Sequence, residues 1–229
     1  MLIKLKNKNN HFIKRVDIFI AKYFSSTKDG WKIDLKIAIL AFIVSLFIAF
    51  PSLWIYLRPD KGGRLFYQMV QSENPLNRDL PLTAQILSYR FIVPTLNYFL
   101  GFRDYGVVTI PIVSSFLNLF LISRIIRTRT ENILFSLICV IGISLTWFIA
   151  EGTAFWGTTD SVSHLLLLLP GAFNIHPTYF ILALPSSLFI DERSIFACLF
   201  LWLFLIKKDL TDINSLKENK INLILLNVN

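Results

Sequence analysis

Three stretches of the chain carry no Asp, Glu, Lys or Arg: Ile37 to Leu57, Tyr105 to Ser123 and Asn132 to Ala150. Each comes near the ~20 residues that a helix needs to cross ~30 Å of hydrocarbon. The pattern predicts three transmembrane helices. A fourth charge-free stretch, Ser161 to Ile190, is too long for one straight crossing and too short for two, and Pro170-Gly171 and His176-Pro177 interrupt it. It reads as a hairpin whose first arm borrows upstream residues. That arm runs from Gly152 to Pro170, with Asp160 inside it or at its mouth, and the second runs from Ala172 to Ile190. A last run, Ser194 to Ile206, lies between Asp191-Glu192-Arg193 and Lys207-Lys208 and reads as a short span with snorkelling ends.

Orientation follows from the positive charges. The segment before Ile37 holds Lys4, Lys6, Lys8, Lys14, Arg15, Lys22, Lys28, Lys32 and Lys36, which places it in the cytoplasm. Leu82 to Leu100 admits two readings. As a full span it would put the basic turn Arg124, Arg127, Arg129 outside; as an outer interfacial helix it leaves that turn inside. Gln85, Arg90, Pro94 and Asn97 favour the interfacial reading. The expected fold is all-α, a polytopic bundle of about six spans plus an outer interfacial helix, with seven spans as the alternative. The expected organisation is a cytoplasmic basic amphipathic arm at 1–36, a transmembrane domain at 37–206 and a cytoplasmic tail at 207–229. Because the first apolar run has span length and starts late in the chain, it is expected to stay as an anchor rather than act as a cleaved signal.

Composition agrees. Of 229 residues 54% are hydrophobic, Phe supplies 21 of them, and charged residues make up 17% against the roughly 25% usual in soluble domains. The net charge of +8 is concentrated in the N-terminal arm, where anionic lipid is the nearer partner, so no nucleic acid is expected. Cys139 and Cys198 lack metal-ligand spacing. Gly62-Gly63 lacks the rest of a phosphate loop and reads as a turn.

The charges that this topology gathers on the outer face carry the candidate chemistry: Asp60, Glu73, Asp79, Arg90, Glu151, Asp160, Asp191, Glu192 and Arg193. A charge within the bilayer costs roughly 2.5–3.5 kcal/mol even on lenient scales, so it asks for a reason. Asp160 and His164 stand one helical turn apart, compatible with a hydrogen-bonded pair or half of a metal site. Equally, Asp160 caps the helix that starts at Ser161. Arg193 either neutralises its acidic neighbours in a polar turn or points inward as an anion clamp, with Arg64 and Arg90 as rivals. These groups are expected to converge, with Arg90 within reach of Asp160, Asp191 or Glu192.

The runs Tyr89-Arg90-Phe91-Ile92-Val93-Pro94, Gly157-Thr158-Thr159-Asp160-Ser161 and Asp191-Glu192-Arg193 resemble those of uncharacterised bacterial multi-pass proteins. Those proteins are in turn similar to the membrane module of GT-C-type glycosyltransferases. The resemblance covers roughly Ile37 to Ile206. It implies a polyprenyl-phosphate-linked sugar as donor and the bacterial inner membrane as location. It also implies an acidic residue of the first outer loop, Asp60 or Asp79, as catalytic base or ligand of a divalent metal. Arg90 or Arg193 would then stabilise the leaving phosphate, with Asp160, His164, Asp191 and Glu192 as further polar groups. The alternative is a non-catalytic membrane protein: a lipid or solute carrier, or a complex subunit.

Overall fold

A computed structural model describes residues 29–56, 64–76, 90–146, 149, 159–173 and 179–190. Among them every regular element is a helix. In order they are α1 (Gly30–Tyr56), α2 (Arg64–Glu73), α3 (Ile92–Leu100), a 3-10 turn (Asp104–Val108), α4 (Thr109–Thr130), α5 (Ile133–Ser144), α6 (Asp160–Phe173) and α7 (Tyr179–Leu188).

Side-chain hydrogen bonds fix the directions of the helices. Asp34, at the start of α1, meets Ser123 and Arg127 near the end of α4, and Phe42 packs edge-on against Phe116 at 5.5 Å. These two helices are therefore antiparallel. The Ser161 hydroxyl donates to the Pro111 carbonyl where α6 and α4 begin, and Arg124 donates to the Ala172 carbonyl where they end. Those two are parallel. Helix α5 folds back along α4, its Ser136 hydroxyl donating to the Ser123 carbonyl. Helix α7 returns along α6, because the Thr159 hydroxyl preceding α6 donates to the Ile190 carbonyl beyond α7.

Two ends of the bundle result, one marked by Asp34 and the other by Asp160. The chain between α1 and α4 leaves and re-enters at the Asp160 end, so it crosses the bundle an even number of times or not at all. Helices α2 and α3, of 10 and 9 residues, belong to this stretch. At 1.5 Å per residue they span about 15 Å and 14 Å, far less than a bilayer. Leu65 on α2 packs with Val107 and Val108, Asn97 on α3 donates to the Ser72 hydroxyl and the Val107 carbonyl, and Arg103 donates to the Ser72 carbonyl. Helix α3 stops in a Schellman turn: Gly101 takes φ +72°, its N–H bonds the Tyr98 carbonyl, and the Phe102 N–H bonds that of Asn97.

Between the two ends lies an apolar core containing Ile37, Ala38, Ala41, Leu119, Ile122 and Val140. Around it buried polar side chains and exposed large apolar ones occur side by side. Ser45, Ser115, Asn118, Ser123, Ser136 and Ser163 are buried, whereas Ile43, Phe47, Phe99, Phe135, Ile138 and Leu182 are half or more exposed. Small and hydroxylated residues let helices approach closely where the surroundings are themselves apolar.

Several expected boundaries move. By length and composition, Asp104–Thr130, 27 residues, is the described segment that is long and apolar enough to cross a membrane. Of the expected span from Asn132 to Ala150 the described residues show a 12-residue helix, Ile133–Ser144, and a helical Ile149 beyond a turn, while 147, 148 and 150 lie outside the described residues. Asn132 caps it, accepting from the Phe135 N–H at 2.9 Å, and a turn at Leu145 and Thr146 ends it. The Ser144 and Thr146 hydroxyls bond back to the Ile141 and Ile143 carbonyls there, competing with helix continuation. Of the expected hairpin the described residues show α6 and α7 packed side by side, with α6 running through Pro170-Gly171 to Phe173 and residues 152–158 and 174–178 outside the described residues. Arg124 explains the extension: its guanidinium caps the Ala172 carbonyl at 2.8 Å and lies 4.8 Å from the Phe173 ring centre, supplying a cation where the helix dipole is negative. Helix α1 likewise begins at Gly30, before the apolar run, and takes Lys32, Asp34 and Lys36 into the helix.

Candidate functional site

At the Asp160 end, four pieces of chain meet. Val93 of α3, Val162 of α6 and Ile190 beyond α7 form a buried apolar cluster, with Ile110 of α4 packed against it. This cluster is the floor of the site. Arg90 is held above it by its neighbour Phe91, whose ring lies 5.1 Å from that of Phe189. The Arg90 Nη1 atom reaches Asp160 Oδ1 at 3.4 Å, with the two side chains 10% and 3% exposed. The expected reach between Arg90 and an acid of the hairpin is met by Asp160.

Asp160 stands in the first turn of α6, where unpaired backbone N–H groups and the helix dipole favour a negative charge. Its position is locked on both sides. Thr159 holds Ile190, and Ser161 is tied to α4 twice, through its hydroxyl to Pro111 at 3.0 Å and through its carbonyl, which accepts from Asn118 at 2.8 Å. A carboxylate at a helix N-terminus and a guanidinium on an adjacent turn can hold a polar group between them, the arginine taking an anionic oxygen and the carboxylate a proton donor.

His164 lies one turn further along α6 and is half-buried. Among the described residues no three His, Cys, Asp or Glu gather as a metal site. Asp60, Asp79, Asp191, Glu192 and Arg193 lie outside the described residues, as does Glu151, and Arg64 is described in its backbone alone. Glu73, at the end of α2, is exposed. The structure thus brings together Arg90 and Asp160 from the expected set.

A second charged centre at the opposite end was not anticipated from the sequence. Asp34, fully buried, accepts from Arg127 through both oxygens, Nε to Oδ1 at 2.7 Å and Nη2 to Oδ2 at 2.8 Å, and the Ser123 hydroxyl donates to Oδ1 at 3.3 Å. The basic turn read as a set of cytoplasmic charges therefore spends Arg127 on Asp34 and Arg124 on α6. The available signal was the spacing of Asp34, Ile37, Ala38, Ala41 and Ser45, which puts the acid at the head of a buried stripe of small residues on α1.

Comparison of the chain with protein-family models, curated proteins and solved structures finds no match.

Proposed function

We propose that this chain is a multi-pass membrane protein that takes the anionic headgroup of a lipid-linked ligand into the Arg90–Asp160 centre. The observation that carries this reading is a buried arginine–carboxylate pair at one end of a bundle that exposes many large apolar side chains among the described residues. Ile43, Phe47, Phe135 and Ile138 are suited to lipid contact, and Trp31, half exposed with the Lys32 ammonium 5.5 Å from its ring centre, is suited to an interface. The 27-residue α1, charge-free from Ile37 onward, would be a second crossing beside Asp104–Thr130. The shorter α5, α6 and α7 would complete the bundle with neighbouring chain, giving about six spans with both termini cytoplasmic.

The polyprenyl-phosphate-linked sugar suggested by the resemblance to GT-C-type enzymes fits this class. In glycosyl transfer Arg90 would stabilise the departing phosphate, and Asp60 or Asp79 would take the acceptor's proton. A carrier needs a polar path from one face to the other. Here the layer of Ile37, Ala38, Ala41, Leu119 and Ile122 separates the two charged centres, which favours a one-sided site.

Two measurements test the proposal. Native mass spectrometry of gently purified protein should find a phosphate-bearing lipid, and Arg90→Gln should reduce its retention about tenfold, the loss of one charge-assisted contact. Retention unaffected by that substitution overturns the assignment of the site. In a cysteine-free background, Phe102→Cys should label from outside the cell and Thr128→Cys from the cytoplasm. Outside labelling at 128 overturns the topology.

A further inference from the structure

We infer that Ser115 and Asn118 of α4 form a hydroxyl-reading subsite of the Arg90–Asp160 centre, so that the ligand's headgroup carries a free hydroxyl beside its anionic group. The inference rests on the anion-binding reading of that centre and adds the chemistry of the headgroup.

Both side chains are fully buried. The Asn118 amide has a fixed orientation, because its Nδ2 donates to the Ser161 carbonyl at 2.8 Å and a flipped amide would set two oxygens against each other. That leaves its Oδ1 as an acceptor, and it meets no donor among the described residues. The Ser115 hydroxyl, three residues earlier on the same helix face, also has no partner among the described residues. Buried polar atoms are nearly always satisfied, so two such atoms one turn apart define the group they would take. Asn118 Oδ1 can only accept, while Ser115 Oγ can donate or accept. A hydroxyl answers both, donating to the amide oxygen and accepting from the serine.

The location ties this pair to the charged centre. Asn118 is hydrogen-bonded to Ser161, the residue next to Asp160, and the apolar layer of Leu119 and Ile122 closes the opposite side. The hydroxyl could come from a ligand or from an internal water, and the experiment separates the two sources.

The probe is a pair of lipids of equal charge, phosphatidylglycerol, whose headgroup bears hydroxyls, and phosphatidylethanol, whose headgroup bears none. The full chain is reconstituted with equal amounts of both and read by native mass spectrometry. Wild-type protein should retain phosphatidylglycerol about tenfold over phosphatidylethanol, the scale of one or two buried hydrogen bonds. Ser115→Ala should abolish most of that preference at unchanged melting temperature, since the serine hydroxyl holds no other part of the fold. Equal retention of both lipids, lost equally in Arg90→Gln, overturns the hydroxyl subsite and leaves the anion site standing. A preference that survives Ser115→Ala while the melting temperature shifts assigns the hydroxyl to an internal water and also overturns the inference. Failure to retain either lipid, with no effect of Arg90→Gln, removes the anion site and the subsite together.

Discussion

A carboxylate–arginine pair is buried at each end of this bundle, and the two are built differently. At the Asp34 end the guanidinium meets both carboxylate oxygens at 2.7 and 2.8 Å, with a serine hydroxyl as third donor. At the Asp160 end the contact is a 3.4 Å approach of Nη1 to Oδ1, near the outer limit of a hydrogen bond. The first geometry is a closed fork, with little to gain from any ligand. The second reaches Asp160, in the first turn of α6, from Arg90 just before α3, and both residues make further interactions. The same two residue types thus serve as a staple at one end and as a candidate binding centre at the other, and the difference lies in what holds each partner.

The largest expected effect breaks the staple. Arg127→Ala leaves Asp34 buried without its counter-ion, a change that costs about 3–5 kcal/mol. Folded protein recovered by fluorescence-detected size exclusion should fall sharply. Replacing both partners with apolar residues, Asp34→Leu with Arg127→Met, should recover most of it. A single substitution with near wild-type melting temperature would show that the two ends are not so different.

Asp160→Asn probes the other end. The amide keeps the shape and much of the capping capacity at the start of α6, so stability should change by about 1 kcal/mol or less. Ligand retention should nevertheless fall severalfold, because the carboxylate no longer holds the Arg90 guanidinium. Parallel loss of fold and retention would make this pair a second staple.

Arg124→Gln removes the cation that caps α6 and should lower stability by about 1 kcal/mol. Hydrogen exchange should report the loss in the Pro170–Phe173 turn while leaving the beginning of α6 protected. Uniform loss of protection along α6 would deny the cap its role.

The smallest effect sharpens the account of the staple. A β-carbon at Gly30 would lie 2.7 Å from Arg127 Nη2. At this first position of α1 alanine gains only part of the roughly 1 kcal/mol of propensity that it holds over glycine in a helix interior. With a rigid fork, Gly30→Ala should be neutral or slightly destabilising despite that gain; a rise in melting temperature would mean that the guanidinium gives way easily.

Charge-free apolar runs made α1, α4 and α5 legible in the sequence, and with the prolines the pair α6 and α7, whereas α2 falls in a stretch read as an outer loop. The reach of Arg90 to Asp160 followed from the cost of leaving charges alone in an apolar medium. Helix ends were less legible, because they depend on partners far along the chain. Pro170 marks a break in sequence, yet α6 continues past it because Arg124 of another helix satisfies its last carbonyls. Asp34 read as one more charge of a basic arm, since nothing local says that its partner is Arg127. The Asn118 amide passed as a polar residue within an apolar run, for its significance depends on Ser161 of α6.

The two pairs also impose an order on how the chain is made. Asp34 and Arg127 are 93 residues apart, and Arg90 and Asp160 are 70 apart. At roughly 5–20 residues per second, a ribosome leaves Asp34 waiting about 5–20 s for its arginine. During that interval α1 carries an uncompensated acid on the face that α4 will later cover, so the machinery that receives it must shelter that face. The Asp160 end can close only afterwards, once α6 has been made and lies parallel with α4.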